Sequence, residues 1–149
     1  MRAVVQRSDT ARVVVAGREV GAIERGVVVL LGVSPEDGTA EAEWLADKVA
    51  NLRIFNDDDG KMNLSLLDVG GAALVVSQFT LYGDARKGRR PSFVRAASGA
   101  GAEAVYMATI AAFKGLGVAT ASGEFGANMD VTLTNEGPVT ILLDSDKTF

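Results

Sequence analysis

The chain alternates short apolar runs with polar turns, a pattern that predicts about eight strands and two helices. Residues 2–7 and 12–16 have the alternation or the β-branched composition of strands, and residues 27–33 are apolar throughout, as in a strand buried on both faces. Residues 72–78 form another buried strand, which ends in polar side chains. Further strand patterns lie at residues 19–23, 118–122, 129–134 and 139–143.

Two segments carry apolar residues at the spacing of an amphipathic helix. The first contains Ala42 and Leu45, and Asp37 or Thr39 is placed to cap it. The second covers residues 103–114 and stops at glycines. These elements predict an α+β fold, in which helices pack on a curved, mostly antiparallel sheet or barrel. We expect one domain, because no internal repeat or boundary interrupts residues 1–149.

Histidine and cysteine are both absent. Their absence excludes a Ser-His-Asp triad, a Cys-His pair and a His-based zinc site. Catalysis would then rest on hydroxyls, carboxylates, cations, backbone amides or the substrate's own groups. The net charge of −4 argues against broad binding to DNA or RNA but permits a local basic patch.

Three further features narrow the class of protein. The polar N-terminus is not a signal peptide, and no apolar run reaches the roughly 18 residues of a membrane span. We therefore expect a cytoplasmic protein with no membrane partner. The acidic run at residues 56–60 has the wrong register for a calcium loop, because Phe55 and Leu66 would fall at ligand positions. We predict no metal and no cofactor.

The stretch between the last two strand patterns contains Gly137-Pro138. Glycine tolerates backbone angles that other residues avoid, and proline fixes φ and lacks an N–H. Because only about 5–6% of X–Pro bonds in folded proteins are cis, the local pattern alone predicts a hairpin connection here.

Two stretches carry groups suited to a small ligand. Ser77, Gln78 and Thr80 follow the most apolar strand, where they either face a ligand or satisfy nearby backbone groups. Phe125 lies between glycines and is either a stacking surface for a base or a core residue. Each stretch taken alone leaves both interpretations open.

Four cations stand within five residues of an otherwise acidic chain. They belong either to a solvated loop or to a loop that contacts phosphates. In the second case the lysine ammonium would act as a point charge and each arginine guanidinium could donate two hydrogen bonds to one phosphate. They are Arg86, Lys87, Arg89 and Arg90.

Taken together, these stretches resemble the D-aminoacyl-tRNA deacylase family. The motifs follow one another in the right order at compatible spacing, and they cover residues 77–82, 87–93, 125–129 and 135–140. Residues 1–7, 52–55 and 61–65 also fit, so the resemblance runs from residue 1 to about residue 145.

The resemblance implies a homodimer with two active sites at its interface. Its substrate would be the 3′ end of aminoacyl-tRNA, where the ester of a D-amino acid, or of glycine mischarged on tRNA(Ala), is hydrolysed. The Gly137-Pro138 bond is expected to be cis and to enter the partner's pocket, braced by Arg7. Further residues for substrate binding and chiral selection would be Asn135, Thr140, Met129 and, beside the adenine, Phe125. Ser77, Gln78, Phe79 and Thr80 would form the catalytic motif.

The chemistry of an aminoacyl ester tolerates the missing histidine and cysteine. The acyl group is activated, so an oriented water can attack it while the amides of Phe79 and Thr80 stabilise the oxyanion. No base is evident that would make Thr80 a nucleophile, so we expect a positioning hydroxyl, with the substrate's 2′-hydroxyl as an assistant. Enantiomers carry identical groups, so a rigid wall must exclude the L side chain. Glycine has no side chain and would pass such a filter.

Two other functions remain open at this point. A non-enzymatic RNA-binding module would use the cationic loop and Phe125 without turning over an ester. A small-molecule hydrolase or lyase would use a close pair of carboxylates, for which the sequence offers no clear candidate.

Overall fold

The computed structural model describes residues 1–149, and its sheet is built around one long strand. Strand β1 runs from Arg2 to Val15, so the two strands predicted at its ends are one. One edge of β1 pairs antiparallel with β8 (Asp130–Asp144). The other edge pairs antiparallel with β3 (Gly26–Gly32) in its first half and with β2 (Arg18–Ile23) in its second.

The sheet continues through two parallel strands and bends back on itself. Strand β6 (Ala72–Ser77) pairs with β3, and β7 (Ala119–Ser122) pairs with β6. The far edges approach so closely that a side chain at Gly21 of β2 would collide with the backbone of Ser122. The result is a curved, nearly closed mixed sheet in which antiparallel pairings outnumber parallel ones, and the predicted α+β fold is confirmed.

Two helices cover the inner layer of the sheet. Helix α1 (Thr39–Asn51) has Gly38 at its N-cap, and helix α2 (Gly99–Gly115) begins four residues earlier than predicted. Their apolar faces join the main core, to which α1 contributes Leu45 and α2 contributes Tyr106 and Phe113. Neither helix is long and apolar enough to cross a membrane.

Two small elements complete the fold. A short hairpin joins β4 (Phe55–Asn56) to β5 (Met62–Leu64). A 3₁₀ turn over Phe79–Tyr82 follows directly on β6.

The hairpin predicted at Gly137-Pro138 from the local pattern is wrong. Gln6 pairs with Thr140 and Ser8 pairs with Asn135, so four residues of β8 stand opposite Arg7 alone. The chain leaves the ladder at residues 136–139, which we call the excursion, and rejoins the same strand. Strand β1 is long enough to pair both flanking runs in one direction, which no local signal reveals. The Gly137-Pro138 bond within the excursion is cis.

Candidate active site

A mostly apolar cleft of about 630 Å³ opens at the carboxyl end of β6. Its walls come from the ends of β3 and β6, from residues 96–102 at the start of α2, and from residues 125–129. Five predicted site residues line it, namely Ser77, Gln78, Phe79, Phe125 and Met129. Thr80 lies beside them, and its hydroxyl accepts a hydrogen bond from the side-chain amide of Gln78.

The predicted catalytic motif, residues 77–80, is positioned by the end of a buried strand. Gln78 donates its backbone N–H to Leu31 at 2.7 Å, which extends the parallel ladder one residue past β6. The chain then turns into the 3₁₀ turn, in which Phe79 and Thr80 are the first residues. Amides in the first turn of a helix have no acceptor within that helix. These two amides are therefore suited to bind a developing negative charge at the mouth of the cleft.

The floor of the cleft is aromatic. The rings of Tyr106 and Phe125 lie 5.7 Å apart. The Tyr106 hydroxyl donates to the Val75 carbonyl at 2.9 Å, and burial raises the pKa of Tyr106 to about 12. Phe125 is half-buried, with part of its ring on the core and part facing the cleft. Phe125 therefore packs against the core, and the part of its ring that faces the cleft is accessible to a ligand. Stacking of a base on this ring stays a prediction.

Arg7 is the anchor of the excursion. It is 5% exposed, and its Nη1 donates to the carbonyl of Ile54 at 2.6 Å and to Oδ1 of Asn56 at 3.3 Å. Its Nε donates to the Glu136 carbonyl at 3.2 Å and pairs with the Glu136 carboxylate. A Cβ on Gly137 would lie 2.9 Å from Nη2 of Arg7. Only glycine leaves room for the buried guanidinium at this position.

The remaining predicted residues of chiral selection lie in the excursion or at its two ends rather than in the cleft. Asn135 donates its side-chain amide to the Thr140 hydroxyl at 3.0 Å and accepts the Val139 N–H at 3.1 Å, which ties the two ends of the excursion together. Gly137 and Pro138 are exposed and do not line the cleft of their own chain. One chain therefore does not bring the excursion and the cleft together.

The cationic loop is closed at its neck by a pair of backbone hydrogen bonds. Asp84 and Ser92 exchange N–H···O bonds of 2.8 and 2.9 Å. Arg86 donates to the Asp84 carboxylate at 2.9 and 2.6 Å, and these bonds hold the pKa of Asp84 well below its usual range. The other three cations, Lys87, Arg89 and Arg90, are exposed and make no ion pair.

Comparison with known proteins identifies the family over nearly the whole chain. The family described as D-Tyr-tRNA(Tyr) deacylase matches residues 4–144. The chain belongs to this family. A relative named D-aminoacyl-tRNA deacylase from Desulfatibacillum aliphaticivorans is 61% identical, over 97% of this chain and 99% of its own. One of the same name from Thermus aquaticus is 58% identical, over 99% of this chain and 97% of its own. The resemblance found in the motifs is confirmed.

Two solved structures have the same fold as this deacylase-family chain. A structure named c-Myc DNA Unwinding Element Binding Protein has a TM-score of 0.90 and 42% identity, and the match covers 97% of this chain and 99% of the other. A probable eukaryotic D-amino acid tRNA deacylase has a TM-score of 0.81 at 19% identity, with coverage of 95% and 97%. The second likeness concerns the fold alone.

Four polar or aromatic residues of the deacylase-family cleft had no predicted role. Tyr106 lies in the predicted helix over residues 103–114, where a tyrosine among alanines signals a buried hydroxyl that needs an acceptor. Phe93 and Asn128 lie inside motifs that carried the resemblance, and each lines the cleft. Ser98 stands at the N-cap of α2, and no sequence signal pointed to it.

Proposed function

We propose that this protein hydrolyses the ester bond of D-aminoacyl-tRNA in the cytoplasm and releases the D-amino acid and free tRNA. It would act as one catalytic domain over residues 1–149, without a metal or cofactor. The observation that carries the proposal is the apolar cleft with the Phe79 and Thr80 amides at its mouth, in a chain whose relatives are named deacylases.

The chemistry needs a positioned water and an oxyanion site. The amides of Phe79 and Thr80 supply that site, and one such donor lowers the activation free energy by about 3–4 kcal/mol. The Thr80 hydroxyl already accepts a hydrogen bond from Gln78, which supports a positioning role rather than a nucleophilic one. Ser77 completes the polar end of β6, and the adjacent 2′-hydroxyl of the terminal adenosine assists the attacking water. Phe125 stacks on the adenine.

Selection against L-amino acids uses a second copy of the chain. The outer edge of β8 pairs with no other strand, and Leu142 on this strand is 56% exposed. A long unpaired edge with an exposed apolar side chain favours association with another chain. The excursion, with Gly137 and Pro138 exposed, then enters the partner's cleft beside Met129 and blocks the direction that an L side chain would take. Glycine passes this wall, so glycyl-tRNA(Ala) is also a substrate.

The cationic loop holds the nucleic acid outside the cleft. Lys87, Arg89 and Arg90 are exposed and make no ion pair, so they contact phosphates directly. Arg86 contributes less, because Asp84 already pairs with it.

The proposal is tested by incubating the purified protein with D-Tyr-tRNA, L-Tyr-tRNA and Gly-tRNA(Ala) and following the free amino acid. We expect release from the first and third and little from the second. Equal hydrolysis of the D and L esters would refute the steric wall. RNA binding without release from any substrate would favour the non-enzymatic RNA-binding module, and turnover of free small esters alone would favour a small-molecule hydrolase.

The requirement for a second copy of the chain is tested separately, by measuring the oligomeric state with sedimentation. The protein is expected to sediment as a dimer, and Leu142→Asp is expected to shift it towards the monomer with loss of enantiomer selection. A monomeric wild-type protein that still rejects L-Tyr-tRNA would contradict the shared site.

A further inference from the structure

Three large apolar side chains stand exposed beside the mouth of the cleft. Phe79 is 55% exposed, Phe93 is 36% exposed and Val94 is 85% exposed, and we call these three residues the rim surface. The rings of Phe79 and Phe93 meet edge to face with centroids 5.1 Å apart. Both rings also line the cleft. The rim surface is therefore continuous with the site already described, yet Val94 lies outside the cleft.

The rim surface is adjacent to the cationic loop along the chain. Phe93 follows Ser92, and Ser92 forms the neck of the loop with Asp84. Lys87, Arg89 and Arg90 extend from this neck and make no ion pair. The one carboxylate in the loop is occupied by Arg86. Although the chain has a net charge of −4, the surface next to the rim is locally positive.

Exposed aromatic side chains flanked by unpaired cations fit one class of ligand, a single-stranded nucleic acid. Such proteins stack bases on aromatic rings and track the backbone with positive charge. The charge makes this surface complementary to a polyanion rather than to an apolar protein face. A preference for one base is not required, because every base offers a π-face.

Resting on the proposed function, we propose that the rim surface binds the unpaired cytidines that precede the terminal adenosine of tRNA. The cleft binds the ester and the terminal adenosine, so the nucleotide that precedes the adenosine lies on the rim surface. Phe93 is the stacking side chain, because it lines the cleft and directly follows Ser92 at the neck of the cationic loop. Lys87, Arg89 and Arg90 hold the phosphates between these nucleotides.

The test compares two chemically matched esters, D-tyrosyl-adenosine and D-tyrosyl-CCA trinucleotide. The trinucleotide ester is expected to show at least about a fivefold higher kcat/KM, the factor expected for one stacking contact. Phe93→Ala is expected to remove most of this ratio, and Phe93→Trp, which keeps a π-face, is expected to retain it. Met107→Ala, at a 53% exposed apolar position on α2, is the matched control and leaves the ratio unchanged.

The outcomes separate this inference from the proposed function. Equal kcat/KM on both esters in the wild-type protein would overturn the rim surface as a binding site while leaving the deacylase intact. An equal loss on both esters in Phe93→Ala would show that Phe93 acts only on the cleft, through Phe79. Hydrolysis of neither ester nor of D-Tyr-tRNA would instead refute the proposed function itself.

Discussion

Replacing the buried Arg7 by methionine is expected to weaken both the fold and the enantiomer selection. Methionine keeps an unbranched apolar stem but provides no donor. The carbonyls of Ile54 and Glu136, bonded at 2.6 and 3.2 Å, then lose their partner. The excursion loses the group that holds it against β4.

The loss of stability in Arg7→Met depends on how deeply each lost contact is buried. A buried acceptor left without a donor costs about 1–3 kcal/mol, and the Ile54 carbonyl is the more buried of the two. The Glu136 carboxylate is 40% exposed and returns to solvent, so losing the ion pair adds little. We expect the free energy of unfolding to fall by about 2–4 kcal/mol.

Two assays separate the structural effect of Arg7 from its effect on selection. Urea unfolding measures the loss of stability, and hydrolysis of D-Tyr-tRNA and L-Tyr-tRNA measures the ratio of the two rates. Arg7→Met is expected to raise the relative rate on the L ester. Arg12→Met, an exposed position on the same strand, is expected to change neither quantity. Destabilisation of Arg7→Met with an unaltered ratio of rates would show that Arg7 does not position the excursion.

Three further predictions concern the hydroxyl, the loop and the tyrosines. Thr80→Ala is expected to lower kcat by less than about tenfold, and a trapped acyl-Thr80 species would contradict the positioning role. Lys87→Gln is expected to reduce the slope of log KM for D-Tyr-tRNA against log salt concentration by about 0.7. Arg86→Gln is expected to reduce this slope by less, because Arg86 is already paired with Asp84. Equal reductions in the two variants would refute the difference between the paired and the unpaired cation. Burial raises the pKa of both Tyr82 and Tyr106 to about 12. The unfolded chain ionises first, so the free energy of unfolding should fall as pH rises from about 10 towards 12, and phenolate absorbance at pH 10 in the folded protein would contradict this.

The sequence patterns predicted the central strands, the two helices and part of the cleft. Residues 27–33 and 72–78 read as fully buried strands, and they pair side by side at the centre of the sheet. The polar residues that end the second strand do line the cleft, as does Phe125. These predictions succeeded because burial and strand ends leave a local mark on residue type.

Other features depended on contacts between distant residues. The run around Gly137-Pro138 reads as a hairpin until β1 is known to pair with both of its sides. The bonds from Arg7 to Ile54 and Glu136 cross 47 and 129 residues of sequence, and no periodicity predicts them. The pairing of Arg86 with Asp84 spans only two residues, but the sequence does not show which of the four cations the carboxylate neutralises.

The central claim is that one chain supplies the cleft and its partner supplies the excursion. Phe79→Pro removes one of the two proposed oxyanion donors, at a first helical position where proline is tolerated, and leaves the excursion intact. Refolding the Arg7→Met protein with a large molar excess of Phe79→Pro chains places intact excursions against active clefts. The account predicts that hydrolysis of L-Tyr-tRNA then falls towards the wild-type rate while hydrolysis of D-Tyr-tRNA persists. Undiminished hydrolysis of L-Tyr-tRNA in the mixture would contradict it.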